Sequence, residues 1–486
     1  MWVENDLWQK EAIMEFKPKI IQGGMGVGIS GWLLARTVSM LGQLGTVSGV
    51  IYERVFARML QMGDPGGHLR RALSHFPFPE HAEIVLKAFF VEGGKSEDTD
   101  FKPVSVFTIN PPDLLISLTV CANFALVWLA KEGHENLISI NWLEKVAMSH
   151  VYAITGAMLA GVDYITMGAG IPRQIPGVIN AVAEGRTVKY RVPVEGKNIK
   201  GHDMSFDPEK FFGGKLPSIE KPGFVPIIAS VTLARILIGE LPEGSIYGFV
   251  VEEPTAGGHN APPRSKNEDG LKVYGPKDEV DYPKIASCGL PFWIGGSKAS
   301  PEKLKWALSV GAAGIQAGSI FALCEESGMN PRIRAEIRRL GFGNELIVKT
   351  DMRISPTGFP FKVVKLDGTL SEPEVYKARN RICNQGALAT LYERPDGTIG
   401  YRCPAEPREK FVSIKGGDTS ETEGRGCLCN ALIKACVYGD EREPPVITLG
   451  DDVSFLPALM AHAGSSYSAE DAINYLLGTL KPKPPR

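Results

Sequence analysis

The chain lacks an excess of charge of either sign. Lys+Arg number 53 and Asp+Glu 55 among 486 residues, for a formal net charge of -2. Surfaces that hold a phosphate backbone or an anionic membrane carry a basic surplus, so neither nucleic acid nor a membrane surface is expected as a partner. Long uninterrupted apolar runs are also missing. The longest candidate, around Ile109–Ala130, contains Pro111, Pro112, Asp113 and Asn123, and falls short of the about 18 residues of a membrane span. The opening Met1–Asp6 has no basic stretch leading into an apolar core, so no secretory leader is expected.

What is present points to a globular chain. Hydrophobic residues make up 44%, enough for a full core, and the 54 glycines imply many tight turns. Length suggests two to four domains, although a barrel can use about 250 residues or more as one. Of the eight cysteines, Cys121, Cys288 and Cys324 stand singly in apolar surroundings and read as core thiols. The pattern suits a reducing, cytoplasmic location.

Short apolar runs alternate with helical patterns. Strands are predicted at Lys19–Gln22, Leu44–Ser48, Leu137–Trp142, Val162–Met167, Val225–Val231, Tyr247–Glu252, Pro291–Ile294 and Gly314–Ala317. Helices are predicted between most of them, at Trp32–Leu41, Ile154–Ala160, Pro176–Glu184, Thr232–Ile238 and Pro301–Val310. The last has Ser300 as N-cap and Pro301 at its first position. Strand and helix alternating in this way predict an α/β fold, a closed (β/α)8 TIM barrel, over 15–350. The mostly apolar strands fit burial on both faces. An open doubly wound sheet is the alternative.

Two stretches interrupt the repeat. One, at about 54–130, holds helices at Tyr52–Met62 and Pro79–Phe90; the other, at about 185–223, holds a hairpin strand at Val188–Val192. Both are placed to cover the barrel mouth. Residues 351–486 lose the alternation and read as a small C-terminal appendage with helices at Asn430–Val437 and Ala469–Leu480.

Barrel active sites lie at the C-terminal ends of the strands. Here those ends carry Gly23-Gly24, Gly168, Gly257-Gly258, Gly295-Gly296 and Gly318. Glycine lets a flat or anionic ligand approach the backbone closely. The loops after the seventh and eighth strands are the usual phosphate cradle of such barrels, with the helix starting at Pro301 behind one of them and Ser319 adding a hydroxyl. Tight turns with no ligand are the alternative. The tract Gly23–Gly28 does not have dinucleotide-fingerprint spacing and reads better as an approach to a planar ring, with Met25 packed on it. Asn141 offers an amide to a ring heteroatom or a phosphate. His259 follows the sixth strand in "EEPTAGGHNAPPR". An imidazole of ordinary pKa, about 6.5, takes or gives a proton at working pH; a hydrogen-bonded structural histidine is the other reading. Arg264, beyond a stiff proline pair, is either an anion anchor or a surface ion-pair partner. His68 reads as part of a turn that opens a helix.

"IIQGGMGVGISGWLLA", "EEPTAGGHNAPPR", "PFWIGG" with "SPEKL", and "GAAGIQAGSIFALCEESG" resemble the nitronate monooxygenase (2-nitropropane dioxygenase) family over about Ile20–Gly328. The same motif occurs in the related FMN-dependent enoyl reductases. The resemblance implies a barrel holding FMN without a covalent bond, with Gly24, Met25, Asn141, Gly258, Gly295, Gly296, Gly318 and Ser319 contacting FMN and His259 as catalytic base. A small-molecule substrate and O2 are the expected reactants, and a homodimer is the expected assembly. For a nitroalkane, the imidazole would remove the α-proton, and oxygen would complete denitrification to a carbonyl compound and nitrite. For an enoyl thioester reduced by NAD(P)H, it would protonate the carbon that does not receive hydride. A flavin-binding subunit without catalysis is a third reading. The chain departs from compact family members in its length, its first interruption, and the continuation Asn260–Arg264.

Cys383, Cys403, Cys427 and Cys429 sit among glycines and turns. Four such thiols could hold one Zn²⁺ or an iron–sulfur cluster in a structural role, although the Cys-x-Cys pair and the wide first spacing match no common zinc ribbon. Free buried thiols are the alternative, and Cys436 reads as core.

Overall fold

The computed structural model describes residues 17–480 except 269, 437, 440 and 441. Met1–Asp6, read above for a leader, and Val437, expected in a helix, lie outside the described residues. A parallel sheet contains β1 (Ile20–Gln22), β2 (Gly45–Ser48), β3 (Ile138–Leu143), β4 (Tyr164–Gly168), β5 (Gly223–Ile228), β6 (Phe249–Glu252), β7 (Phe292–Gly295) and β8 (Gly314–Ala317). Neighbours in the chain are neighbours in the sheet from β2 to β8, and β8 pairs with β1. The remaining seam is closed by a bridge between Ile21 and Leu44. There Gln22 N donates to Leu44 O at 2.9 Å and Leu44 N donates to Ile20 O at 3.1 Å. The closed (β/α)8 barrel is therefore present.

Strand alternation divides the apolar residues between two cores. Ile21, Tyr164, Val225, Val250 and Trp293 fill the inside of the cylinder. Ile20, Ile140, Ile165, Val251, Ile294 and Ile315 face outward, into the larger core under the helices. Trp293 closes the lower end by donating its indole N–H to Pro18 O at 2.7 Å. The helix Pro301–Ser309 begins as expected, with the Ser300 hydroxyl accepting from Lys303 N at 3.2 Å. The helix expected at Ile154 starts earlier, at His150, directly after a short 3-10 turn.

The apolar stretch after Pro112 is a 19-residue helix, Asp113–Lys131. By length and composition it meets the requirement for a membrane span, contrary to the sequence reading. The two prolines precede it, and Asn123 folds its amide back onto Thr119 O at 2.9 Å instead of breaking the run. Most of its apolar window, 83%, is buried inside the protein, where the helix packs against His150–Leu159.

The excursion after β4 is a hairpin, Val188–Glu195 with Gly201–Phe206. Thr390–Glu393 and Ile399–Arg402, from the C-terminal part, extend it to four strands. Its Phe212 stacks on Phe78 of the excursion after β2, at 4.3 Å between ring centres. The two excursions thus brace each other on the barrel's flank. Beyond Asp351 the chain returns to the barrel. The strand Phe361–Val364 pairs with Val348–Asp351, and the helix Ala469–Leu477 packs on Trp32–Met40 and Pro301–Ser309.

Candidate active site

A cavity opens at the C-terminal ends of the strands, with about 210 Å³ of it reachable by the centre of a water molecule. Gly24, Met25, Asn141, Gly258, His259, Gly295, Gly296, Gly318 and Ser319 all line it. Parallel strands bring these residues together because each strand ends at the same rim.

At the β1 end, a Cβ on Gly24 would stand 2.4 Å from Asn141 Oδ1. The missing side chain lets the β3 amide approach, and Asn141 Nδ2 donates to Gly24 O at 2.7 Å. Asn141 Oδ1 is buried and has no hydrogen-bond partner among the described residues. A buried acceptor left this way is normally satisfied by a bound group or water. Across the cavity, the backbone N–H groups of Ser297, Gly318 and Ser319 donate to no protein acceptor among the described residues, while that of Gly296 continues the ladder from β7 to β8. Orphaned N–H groups on two adjacent loops suit an anion. Gly258 has φ of +81°, a conformation that side chains rarely adopt, and nothing stands within 4 Å of where its Cβ would be. A flat, hydrogen-bonding, anionic molecule such as FMN therefore fits the residues present.

His259 lies on the cavity wall, but it is not a loose imidazole. Its Nε2 is 2.7 Å from Ser355 Oγ, which in turn is 2.8 Å from Thr357 Oγ1. Its ring meets Phe361 edge-on at 4.8 Å. Burial, helped by the positive charge of Lys145, pushes its pKa down to about 3. The expectation of a group titrating near neutrality does not hold for the ligand-free protein, where the imidazole is neutral. Arg264 is no anion anchor: its guanidinium donates to Lys277 O and Ala229 O, beside Asp278.

Neither excursion lines the cavity. The cover comes instead from the C-terminal part: Phe361, Leu432, Ala435 and Val446–Gly450, with Asp452. Gly450 N donates to Ser319 Oγ at 2.8 Å, Thr448 Oγ1 accepts from Gly258 N at 2.7 Å, and Asp452 N donates to Ser297 Oγ at 3.1 Å. Ion pairs from Lys303 to Asp452 and from Lys362 to Asp451 hold this strap. A Cβ on Gly257 would meet Leu449 C at 2.9 Å and Gly450 N at 3.1 Å. One glycine of the Gly-Gly-His motif thus makes room for the chain itself. The sequence reading missed the strap, yet Val446–Gly450 repeats the apolar-run-then-glycine pattern of the barrel strands. It also missed Glu252 and Gln316, inward-facing residues near the strand ends.

The proposed metal ligands do not form a site. Among the described residues no group of three His, Cys, Asp or Glu could hold a metal ion. Cys427 caps the helix Leu428–Lys434 and Cys429 lies in its first turn, and burial raises both thiols. Cys383 and Cys403 share a hydrogen bond that favours the Cys383 thiolate and raises Cys403. Cys121, Cys324 and Cys436 are buried as read, whereas Cys288 is half-buried.

No protein-family model matches the chain. No curated protein matches it either. Among solved structures, FabK from Thermotoga maritima aligns over 96% of this chain and 94% of its own, at 14% identity and a TM-score of 0.49. Nitroalkane oxidase from Streptomyces ansochromogenes aligns over 97% of both chains at 13% identity and 0.43. The enoyl reductase domain of MlnA, from the macrolactin biosynthesis cluster of Bacillus amyloliquefaciens, covers 98% of this chain and 96% of its own at 10% and 0.45. Likenesses this remote assign no residue a role.

Proposed function

We propose that this chain is an FMN-dependent oxidoreductase of the nitronate monooxygenase type, acting on small nitronates with O2 to give a carbonyl compound and nitrite. The observation that carries the reading is one cavity bounded by the orphaned N–H groups after β7 and β8, the unsatisfied Asn141 amide and His259. Gly296, Ser297, Gly318 and Ser319 would hold the phosphate, and Gly24, Met25, Asn141 and Gly258 would lie against the ring. FMN bound there supplies the two-electron redox chemistry.

The state of His259 narrows the substrate. A neutral imidazole whose conjugate acid has a pKa of about 3 is a weak base for removing a carbon-bound proton. A nitronate has already lost that proton. What His259 and its Ser355 partner can do is orient an anion and accept or donate a hydrogen bond, while the nearby charge of Lys145 attracts it. Nitronates are therefore expected to turn over faster than their parent nitroalkanes.

The test is nitrite release from the FMN-loaded protein with propionate-3-nitronate or a nitroalkane, without NADPH, beside NADPH oxidation with an enoyl thioester. Nitrite without NADPH supports the reading. Oxidation of NADPH only when the thioester is present replaces it with enoyl reduction. A flavin-loaded protein inert in both assays makes it a non-catalytic binding subunit, and a colourless protein that takes up no FMN rejects all three.

A further inference from the structure

Glu252 is the last residue of β6. Val250 belongs to the cluster inside the cylinder and Val251 to the core outside it, so alternation turns Glu252 inward, at the top of the barrel interior. There it lines the floor of the cavity together with Gln316 of β8. Its other side borders a small crevice walled by Arg264, Tyr274 and Asp278. Among the described residues no donor or cation pairs with its carboxyl.

The charged groups around it are already committed elsewhere. Lys298 is paired with Glu253, and Lys303 with Asp452 on the strap. Arg264 is spent on two carbonyls beside Asp278. His259, on the loop after β6, is neutral and tied to Ser355. Tyr274 keeps its proton because burial and the nearby carboxylates raise it. A lone, half-buried carboxylate with no partner is costly, and the cheaper state is the protonated acid.

We propose that Glu252 carries a proton at neutral pH and presents a carboxylic O–H to whatever molecule lies on the cavity floor, so that ligand binding is coupled to its titration. It is a positioning residue; the identity of the ligand, though not the protonation, rests on the FMN reading above. Burial pushes its pKa up to about 8.

Two measurements on wild type and Glu252→Gln test this, because glutamine keeps the shape and a donor but cannot ionise. In the first, the thermal midpoint of the ligand-free protein is followed from about pH 6 to about pH 9. Wild type should lose ground to E252Q as pH rises, since ionising this half-buried acid is opposed in the folded state. Parallel curves overturn the proposal. In the second, FMN affinity is read by quenching of flavin fluorescence. The wild-type Kd should weaken by up to about tenfold per pH unit above about pH 8, and E252Q should keep only the shallower slope contributed by Lys145, whose pKa burial lowers to about 8. A flat wild-type profile, or an equal slope in E252Q, overturns the coupling. If FMN binds at no pH, the functional reading falls while the first measurement still decides the proton. Glu252→Leu substitutes in the first measurement should E252Q misfold.

Discussion

The backbone N–H of Gly450 donates to the hydroxyl of Ser319 at 2.8 Å, joining a segment near the end of the chain to the loop after the eighth barrel strand. The sequence reading gives Ser319 a hydroxyl for a ligand, and Ser319 does line the cavity. Its oxygen accepts from the strap, while its own N–H meets no protein acceptor among the described residues. The strap is therefore part of the site wall, and its loss should be felt by the ligand.

Gly450→Ala tests that coupling. Its Cβ would stand 3.0 Å from Thr255 O and 3.4 Å from Ser319 Oγ, so the strap must shift outward. The expected result is FMN affinity at least about tenfold weaker, with a stability loss of only about 1–2 kcal/mol. Flavin titration and urea unfolding separate the two. Unchanged affinity would mean that the strap only covers the site.

Gly24→Ala places a methyl group 2.4 Å from Asn141 Oδ1 and breaks the amide's contact with Gly24 O. A loss of about 1–3 kcal/mol is expected, together with loss of flavin binding. Asn141→Ala removes the obstacle, so the double variant should be more stable than the sum of the single losses implies. Additive losses in a four-way unfolding cycle would show that the clash lies elsewhere.

Acid should destabilise the protein through two histidines. Burial pushes His150 down to about 4, and burial with the Lys145 charge pushes His259 down to about 3. In the unfolded chain both take a proton near pH 6.5; in the folded protein they do not. The unfolded state thus binds more protons below about 6.5, and stability falls as pH drops. The slope from each group approaches about 1.4 kcal/mol per pH unit. His259→Gln should remove one group's share between about pH 6.5 and 5. Matching slopes for wild type and H259Q in denaturant unfolding would contradict the lowered pKa.

Cys383 should be the most reactive thiol. Its thiolate is favoured by the Cys403 hydrogen bond, whereas burial raises Cys121, Cys324, Cys427, Cys429 and Cys436. Reactivity follows the thiolate fraction and access. Peptide mapping after brief alkylation near pH 7.5 should find Cys383 labelled first, and chelators should leave thermal stability unchanged. Stoichiometric zinc, or destabilisation by EDTA, would restore the metal reading.

The barrel was legible because its cause is local. Each strand is a mostly apolar run, several of them leading into glycine, and the helices between them carry their own periodicity, so the order of elements specifies the closure. The cavity-lining glycines, Asn141 and His259 were legible for the same reason: strand ends in a parallel barrel share one rim. What the sequence could not express is contact between distant segments. The strap reaches Ser319 from 131 residues away, and the helix Asp113–Lys131 owes its place to burial against other elements rather than to its composition. The neutral state of His259, its tie to Ser355 and the isolation of Glu252 follow from desolvation, which depends on what the whole fold packs around a group and not on the residues beside it in the chain.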